Sequence, residues 1–118
     1  MKSYNKYGAK PTIYNGIKYH SKFEAEYAKN LDWRLKAKDI KRWERQVKIS
    51  LDVNDSHICN YFMDFVIAHN TGAIEYVEVK GVETAVWKLK FKLFLAIYKN
   101  KRSNLLITLV KRTGTTHF

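Results

Sequence analysis

The chain has 118 residues, enough for one domain and too few for two of ordinary size. Hydrophobic residues make up 46%, so a core can form, while 22 Lys and Arg against 11 Asp and Glu leave a formal net charge of +11. That excess favours polyanionic partners, because each neutralised phosphate releases counterions. Cys59 is the only cysteine, which excludes an intrachain disulfide and a zinc ribbon. The polar start of the chain has no apolar signal-peptide core, and the longest apolar run, Phe94 to Tyr98, is too short to cross a bilayer. A soluble, cytoplasmic protein with no membrane partner is expected.

Met1 to Lys10 show no periodicity and read as a flexible basic arm, here taken to extend over residues 1–11. Thr12-Ile13-Tyr14 and Ile17-Lys18-Tyr19 flank Asn15-Gly16, a pair suited to the positive φ angles of a type I′ hairpin. Ser21-Lys22-Phe23-Glu24 has the form of a capping box, with Glu24 reaching back to a free backbone N–H. Phe23, Tyr27, Leu31 and Leu35, with Ala28 beside them, form the apolar stripe of a helix that fades near Lys38-Asp39. From Trp43 the pattern alternates: Trp43, Val47, Ile49 and Leu51 face one way, Gln46, Lys48 and Ser50 the other, as in a strand.

Asp52 to Ser56 is a turn by composition, and a second strand spans about Ile58 to Ala68. A turn at His69-Asn70-Thr71-Gly72 leads to a third strand from about Ala73 to Lys80. Thr84 to Asn100 is long and lacks Gly and Pro, which predicts a helix with Val86, Leu89, Leu93 and Ile97 on its buried stripe. Leu105 to Val110 reads as a buried strand and Lys111 to Phe118 as a frayed, flexible tail. The expected fold is α/β: a single domain with a central mixed β-sheet flanked by helices, in the order helix–strand–strand–strand–helix–strand.

The chemistry concentrates in two strands. If Asn70-Thr71-Gly72 is the loop, His69 pairs with Ala73, and counting back sets Asp64 directly opposite Glu78. Their Cβ atoms then lie within about 5 Å on one face, and Lys80 shares that face. Facing carboxylates repel, and Asp64 sits inside the apolar run Phe62 to Ile67, where an unpaired charge is expensive. Lys80 offsets part of this, and a divalent cation would offset more. Oxygen ligands without nearby His or Cys suit Mg²⁺ or Mn²⁺. Such an ion polarises a phosphodiester and acidifies a bound water, while Lys80 can orient that water or stabilise charge developing on phosphorus.

Asp64, a hairpin, then Glu78-Val79-Lys80 at the end of the next strand resembles the PD-(D/E)XK nuclease superfamily, whose core order is the one just read. The proline of that name is absent, since Met63 precedes Asp64. Within it, Tyr61-x-x-Asp64-Phe65, Glu78-Val79-Lys80-Gly81 and Ser21-Lys22-Phe23-Glu24 resemble motifs of phage endonuclease I-type Holliday junction resolvases. The likeness covers roughly Tyr14 to Val110. It implies a restriction-endonuclease-like core and an Mg²⁺-dependent endonuclease acting on branched DNA, with Glu24, Asp64, Glu78 and Lys80 as catalytic residues. By the same resemblance, Glu24, Asp64, Glu78 and the Val79 carbonyl bind metal.

Because a resolvase cuts two strands symmetrically, a homodimer is implied as well. A role in phage DNA recombination or packaging accompanies it. Glu24 retains two readings, helix cap and metal ligand, and Glu26 is an alternative on another side of the helix. Gln46 has a counterpart in that group, with no role assigned.

Lys18, Lys22, Lys88, Lys90 and Lys92 are the expected phosphate contacts, as a basic rim around the acidic site. Trp43 and Trp87 fill the core, with Trp87 also placed to stack on an unpaired base. His20, His57, His69 and His117 have no ligand spacing and read as surface or turn residues. Two other functions stay open: a non-catalytic nucleic-acid-binding module of the same fold, and a nicking or restriction-like nuclease without junction specificity.

Overall fold

The computed structural model describes residues 10–99, 101 and 104–118, so the expected basic arm lies outside the described residues except for Lys10 and Pro11. Two short strands, β1 (Thr12–Tyr14) and β2 (Ile17–Tyr19), form a separate antiparallel hairpin. Asn15 at φ 51° and Gly16 at φ 77° make the turn that the Asn-Gly pair predicts. Helix α1 (Lys22–Lys36) follows, then β3 (Ile40–Val53), β4 (Ser56–His69) and β5 (Ile74–Val79). Helix α2 (Ala85–Tyr98) leads to β6 (Leu105–Lys111) and β7 (Gly114–His117). The five strands β3-β4-β5-β6-β7 form one sheet in that order, parallel only between β5 and β6. This is the expected α/β architecture, a mixed sheet between two helices, and it is compatible with a restriction-endonuclease-like core.

Strand alternation decides which helix each side chain meets. On β5, Val77 and Val79 pack with Ala25, Ala28 and Leu31 of α1, whereas Tyr76 packs with Phe91 and Phe94 of α2. Glu78 therefore faces α2. Asp32 of α1 ties two further elements to this layer, accepting from the Tyr14 hydroxyl at 2.6 Å and the Trp43 indole N–H at 3.0 Å.

Several expectations are corrected. The α1 stripe is rotated: Glu24, Ala25, Ala28 and Leu31 are buried, Phe23 and Tyr27 half-buried, and Leu35 exposed. The fully buried residues of α2 are aromatic, Phe91 and Phe94, with Trp87 and Tyr98 beside them; of the expected stripe Leu93 and Ile97 pack half-buried against this cluster, while Val86 and Leu89 lie exposed. Aromatic rings bury more apolar area and meet Tyr61 and Tyr76 on the sheet, with Tyr61 stacked 5.5 Å from Phe94.

Trp43 does not share a layer with Ile49 and Leu51. It packs on the α1 side, whereas they join the α2 cluster. Between them Gln46 holds φ 48°, a left-handed conformation that breaks the alternation. The expected frayed tail is strand β7, paired antiparallel to β6. β-branched Thr115 and Thr116 suit a strand, the Phe118 N–H donates to the Ile107 carbonyl at 2.9 Å, and the Phe118 ring packs edge-on to Phe91. Among the described residues no helix is long and apolar enough to cross a membrane.

Candidate active site

The hairpin between β4 and β5 sets the register of the site. The His69 N–H donates to the Ala73 carbonyl at 2.9 Å, and Phe65 pairs with Val77. The ladder ends at that pair; extended by one step it would set Asp64 opposite Glu78, the arrangement expected from the sequence. There the side chain takes over from the backbone: Asp64 Oδ2 accepts the Val79 N–H at 2.9 Å. On the other flank Asp64 Oδ1 accepts from the Gln46 side-chain amide at 3.1 Å. Gln46 is the one strand-interior residue with positive φ among the described residues; Asn15, Lys38, Asn54 and Asp55 lie in turns. Its unusual backbone thus coincides with its contact to the buried carboxylate.

Glu78 is 3% exposed. The Trp87 indole N–H donates both to Glu78 Oε1 at 2.9 Å and to the Tyr61 hydroxyl at 3.0 Å. Thr84 caps α2 by accepting the Trp87 N–H at 3.1 Å, so the helix start fixes the indole against the sheet. Lys80 Nζ lies 3.8 Å from Glu78 Oε1 and 5.0 Å over the Trp87 ring. Glu78 Oε2 is buried without a hydrogen-bond partner.

Glu24 joins from the first turn of α1. Ser21 accepts its backbone N–H at 3.1 Å, but the return bond of a capping box is not made. The carboxylate is buried instead and comes within 3.9 Å of His20 Nδ1. Glu26 does not substitute for it, since it is exposed and lies 3.9 Å from Lys22 Nζ.

The electrostatics are those of a site with too much negative charge for its burial. Burial, then the Asp64 charge, push the Glu24 carboxyl up to about 7, against the pull of Lys80 and Arg45. Burial and Asp64 likewise raise Glu78 to about 8. Burial raises Asp64 too, opposed by the Val79 N–H, Lys80, Gln46 and His20.

Glu24, Asp64, Glu78, Val79 and Lys80 all line one cleft of about 1020 Å³. Among the described residues no three His, Cys, Asp or Glu side chains stand close enough together to form a ready-made metal site. The groups that could hold a cation are the oxygen atoms of Glu24, Asp64 and Glu78, three carboxyls with raised pKa values, of which Glu78 Oε2 has no hydrogen-bond partner.

Of the lysines expected around the site, Lys22 and Lys90 line the cleft, whereas Lys18, Lys88 and Lys92 do not. Tyr19 of β2 is buried, so its neighbour Lys18 alternates away, and Lys88 and Lys92 stand on the exposed flank of α2. Lys10 and Arg112, from opposite ends of the described chain, complete the rim in their place. The Trp87 ring, expected as a base-stacking surface, is engaged within the protein instead: Phe91 stacks on it at 5.1 Å and Lys80 Nζ lies 5.0 Å over it. Among the histidines His117 is exposed as expected, although it contacts buried Thr108 at 3.1 Å, whereas His69 is half-buried at the end of β4 and contacts Glu75 at 2.8 Å; both lie away from the cleft. The roles of Tyr61, Trp87 and Gln46 have no local sequence signal except their spacing from Asp64 and Glu78.

Residues 4–114 match the family model described as "Protein of unknown function (DUF1064)". No curated protein and no solved structure matches the chain.

Proposed function

This chain belongs to the DUF1064 family of unknown function, and for it we propose metal-dependent hydrolysis of DNA phosphodiester bonds at the Glu24–Asp64–Glu78–Lys80 cleft. The observation that carries this reading is the buried Asp64–Glu78 pair, facing across β4 and β5 with Glu78 Oε2 unpartnered and Lys80 alongside. Asp64 and Glu78, with Glu24 and the Val79 carbonyl, would hold a Mg²⁺ or Mn²⁺ ion. When bound, that ion supplies charge for the phosphodiester and acidifies a water.

The chain's own groups do the rest. The Gln46 amide and Val79 N–H fix the Asp64 carboxylate, and the Trp87 indole fixes Glu78. Lys80 Nζ, held between Glu78 and the Trp87 ring, is placed to stabilise negative charge on the phosphoryl oxygens or to orient the attacking water. Lys10, Lys22, Lys90 and Arg112 position the backbone through phosphate contacts.

On the resemblance drawn from the motifs, the substrate is branched DNA, cut in the cytoplasm by a homodimer. Labelled four-way junction, linear duplex and single strand, each offered with Mg²⁺ and with EDTA, test the substrate. Preferred cutting of the junction is expected. Equal cutting of all three leaves a nuclease without junction specificity. Binding without cutting moves the protein to the non-catalytic module, the reading favoured by the absence of a tightly drawn ligand set among the described residues.

A further inference from the structure

Phe62 is the feature of the cleft that phosphate chemistry leaves unused. It sits two residues before Asp64, roughly 7 Å along β4, and is 53% exposed although its neighbours Tyr61 and Met63 are buried. It lines the same cleft as the carboxylates. Val82 and Val86, exposed by 45% and 65%, line that cleft too, so its mouth is apolar as well as basic. Around this apolar mouth stand Lys10, Lys22, Lys90 and Arg112, with Lys48 as the cross-strand partner of Phe62. An aromatic face left in water costs solvation, and cations around it match a ligand that is flat and apolar on one side and anionic on the other.

We propose that Phe62 is a stacking platform for an unpaired base, so that the cleft takes single-stranded nucleic acid, the basic rim holding its phosphates and the phenyl ring one of its bases. Every base has a π face, so the preference is for unpaired over paired nucleotides and carries little sequence readout. A base inside a duplex is already stacked on its neighbours and cannot offer its face without being extruded. The inference rests on the reading of the cleft as a nucleic-acid site.

The test is binding in EDTA, by fluorescence anisotropy, of a short labelled oligothymidylate and of an abasic oligomer of equal length and charge. The wild type is expected to bind the oligothymidylate about tenfold tighter, the affinity one stacked base supplies. Phe62→Ala and Phe62→Leu should abolish the difference while leaving abasic binding unchanged, and Phe62→Tyr should keep it. Equal binding of the two oligomers by the wild type overturns the proposal and leaves a charged surface for any polyanion, an acidic protein included. A base preference that survives Phe62→Ala with the fold intact by circular dichroism, or no binding of either oligomer, overturns it too. Because no metal is present, base-dependent binding without cleavage in a separate Mg²⁺ assay would sink the nuclease reading and leave this one standing.

Discussion

Gln46 keeps a left-handed backbone, φ 48°, inside β3, where a side chain with a Cβ costs about 1–2 kcal/mol. Its amide is also a donor to Asp64, and these two effects can be separated. Gln46→Ala should lose the hydrogen bond and keep the strain, destabilising by about 2 kcal/mol. Gln46→Gly loses the same bond but relieves the backbone, and should recover about 1 kcal/mol of that in urea unfolding. Equal stability of the two variants would mean that φ at this position carries no strain.

Glu78 gives a pH prediction at the same scale. Its folded pKa, about 8, lies above the ordinary carboxylate value, so the folded metal-free protein holds a proton that the unfolded chain has already released. Stability is therefore highest at the acid end of that window and falls as pH rises through it, by up to about 1.4 kcal/mol per pH unit for this group. Melting temperature in EDTA should drop between weakly acidic and weakly alkaline pH. Glu78→Gln, which cannot ionise, should flatten the slope and raise the alkaline melting temperature. An unchanged slope in that variant would contradict the raised pKa.

Among the elements, the start of α2 bears on the site through Trp87, and β7 closes one edge of the sheet. β7 covers the edge of β6 and brings Phe118 against Phe91. Removal of residues 114–118 should lower the melting temperature and promote association through the uncovered strand, as seen by light scattering. A truncated chain that stays monomeric and as stable as the full one would show that β7 is dispensable.

The elements differ in how far the sequence revealed them. Two of the hairpin turns are readable because Asn15-Gly16 and Asn70-Thr71-Gly72 are local signals, and the second places Asp64 opposite Glu78 by counting alone. The Ser21 cap was equally local, but not the turn of the Glu24 carboxylate into the cleft, which depends on what α1 packs against. The reversal of facing at Gln46 was hidden because its backbone coincides with a partner, Asp64, on another strand. In α2 the aromatic Phe91 and Phe94 take the centre of the buried face against Tyr61 and Tyr76, with Leu93 and Ile97 at its margin, a choice that depends on the sheet residues they meet. β7 is not legible in the sequence, because a short polar strand is specified by the edge it joins.

For the whole molecule, charge and cleft act together. The formal charge of +11 is spread over the chain, yet only part of it lines the site, at Lys10, Lys22, Lys80, Lys90 and Arg112. If Lys22, Lys90 and Arg112 contact phosphates, each one changed to Ala should lower the slope of log affinity against log salt by about 1, whereas Lys88→Ala and Lys92→Ala should leave it unchanged. Equal effects at all five positions would mean that net charge, and not the cleft, attracts DNA.

The decisive observation is the fate of a labelled four-way junction incubated with wild-type protein and with a folded Asp64→Asn variant, each with Mn²⁺ and with EDTA. Cleavage by the wild type with Mn²⁺ alone, lost in the variant, is the predicted result. An intact junction throughout, or cleavage that survives Asp64→Asn, would contradict a nuclease centred on the Asp64–Glu78 pair.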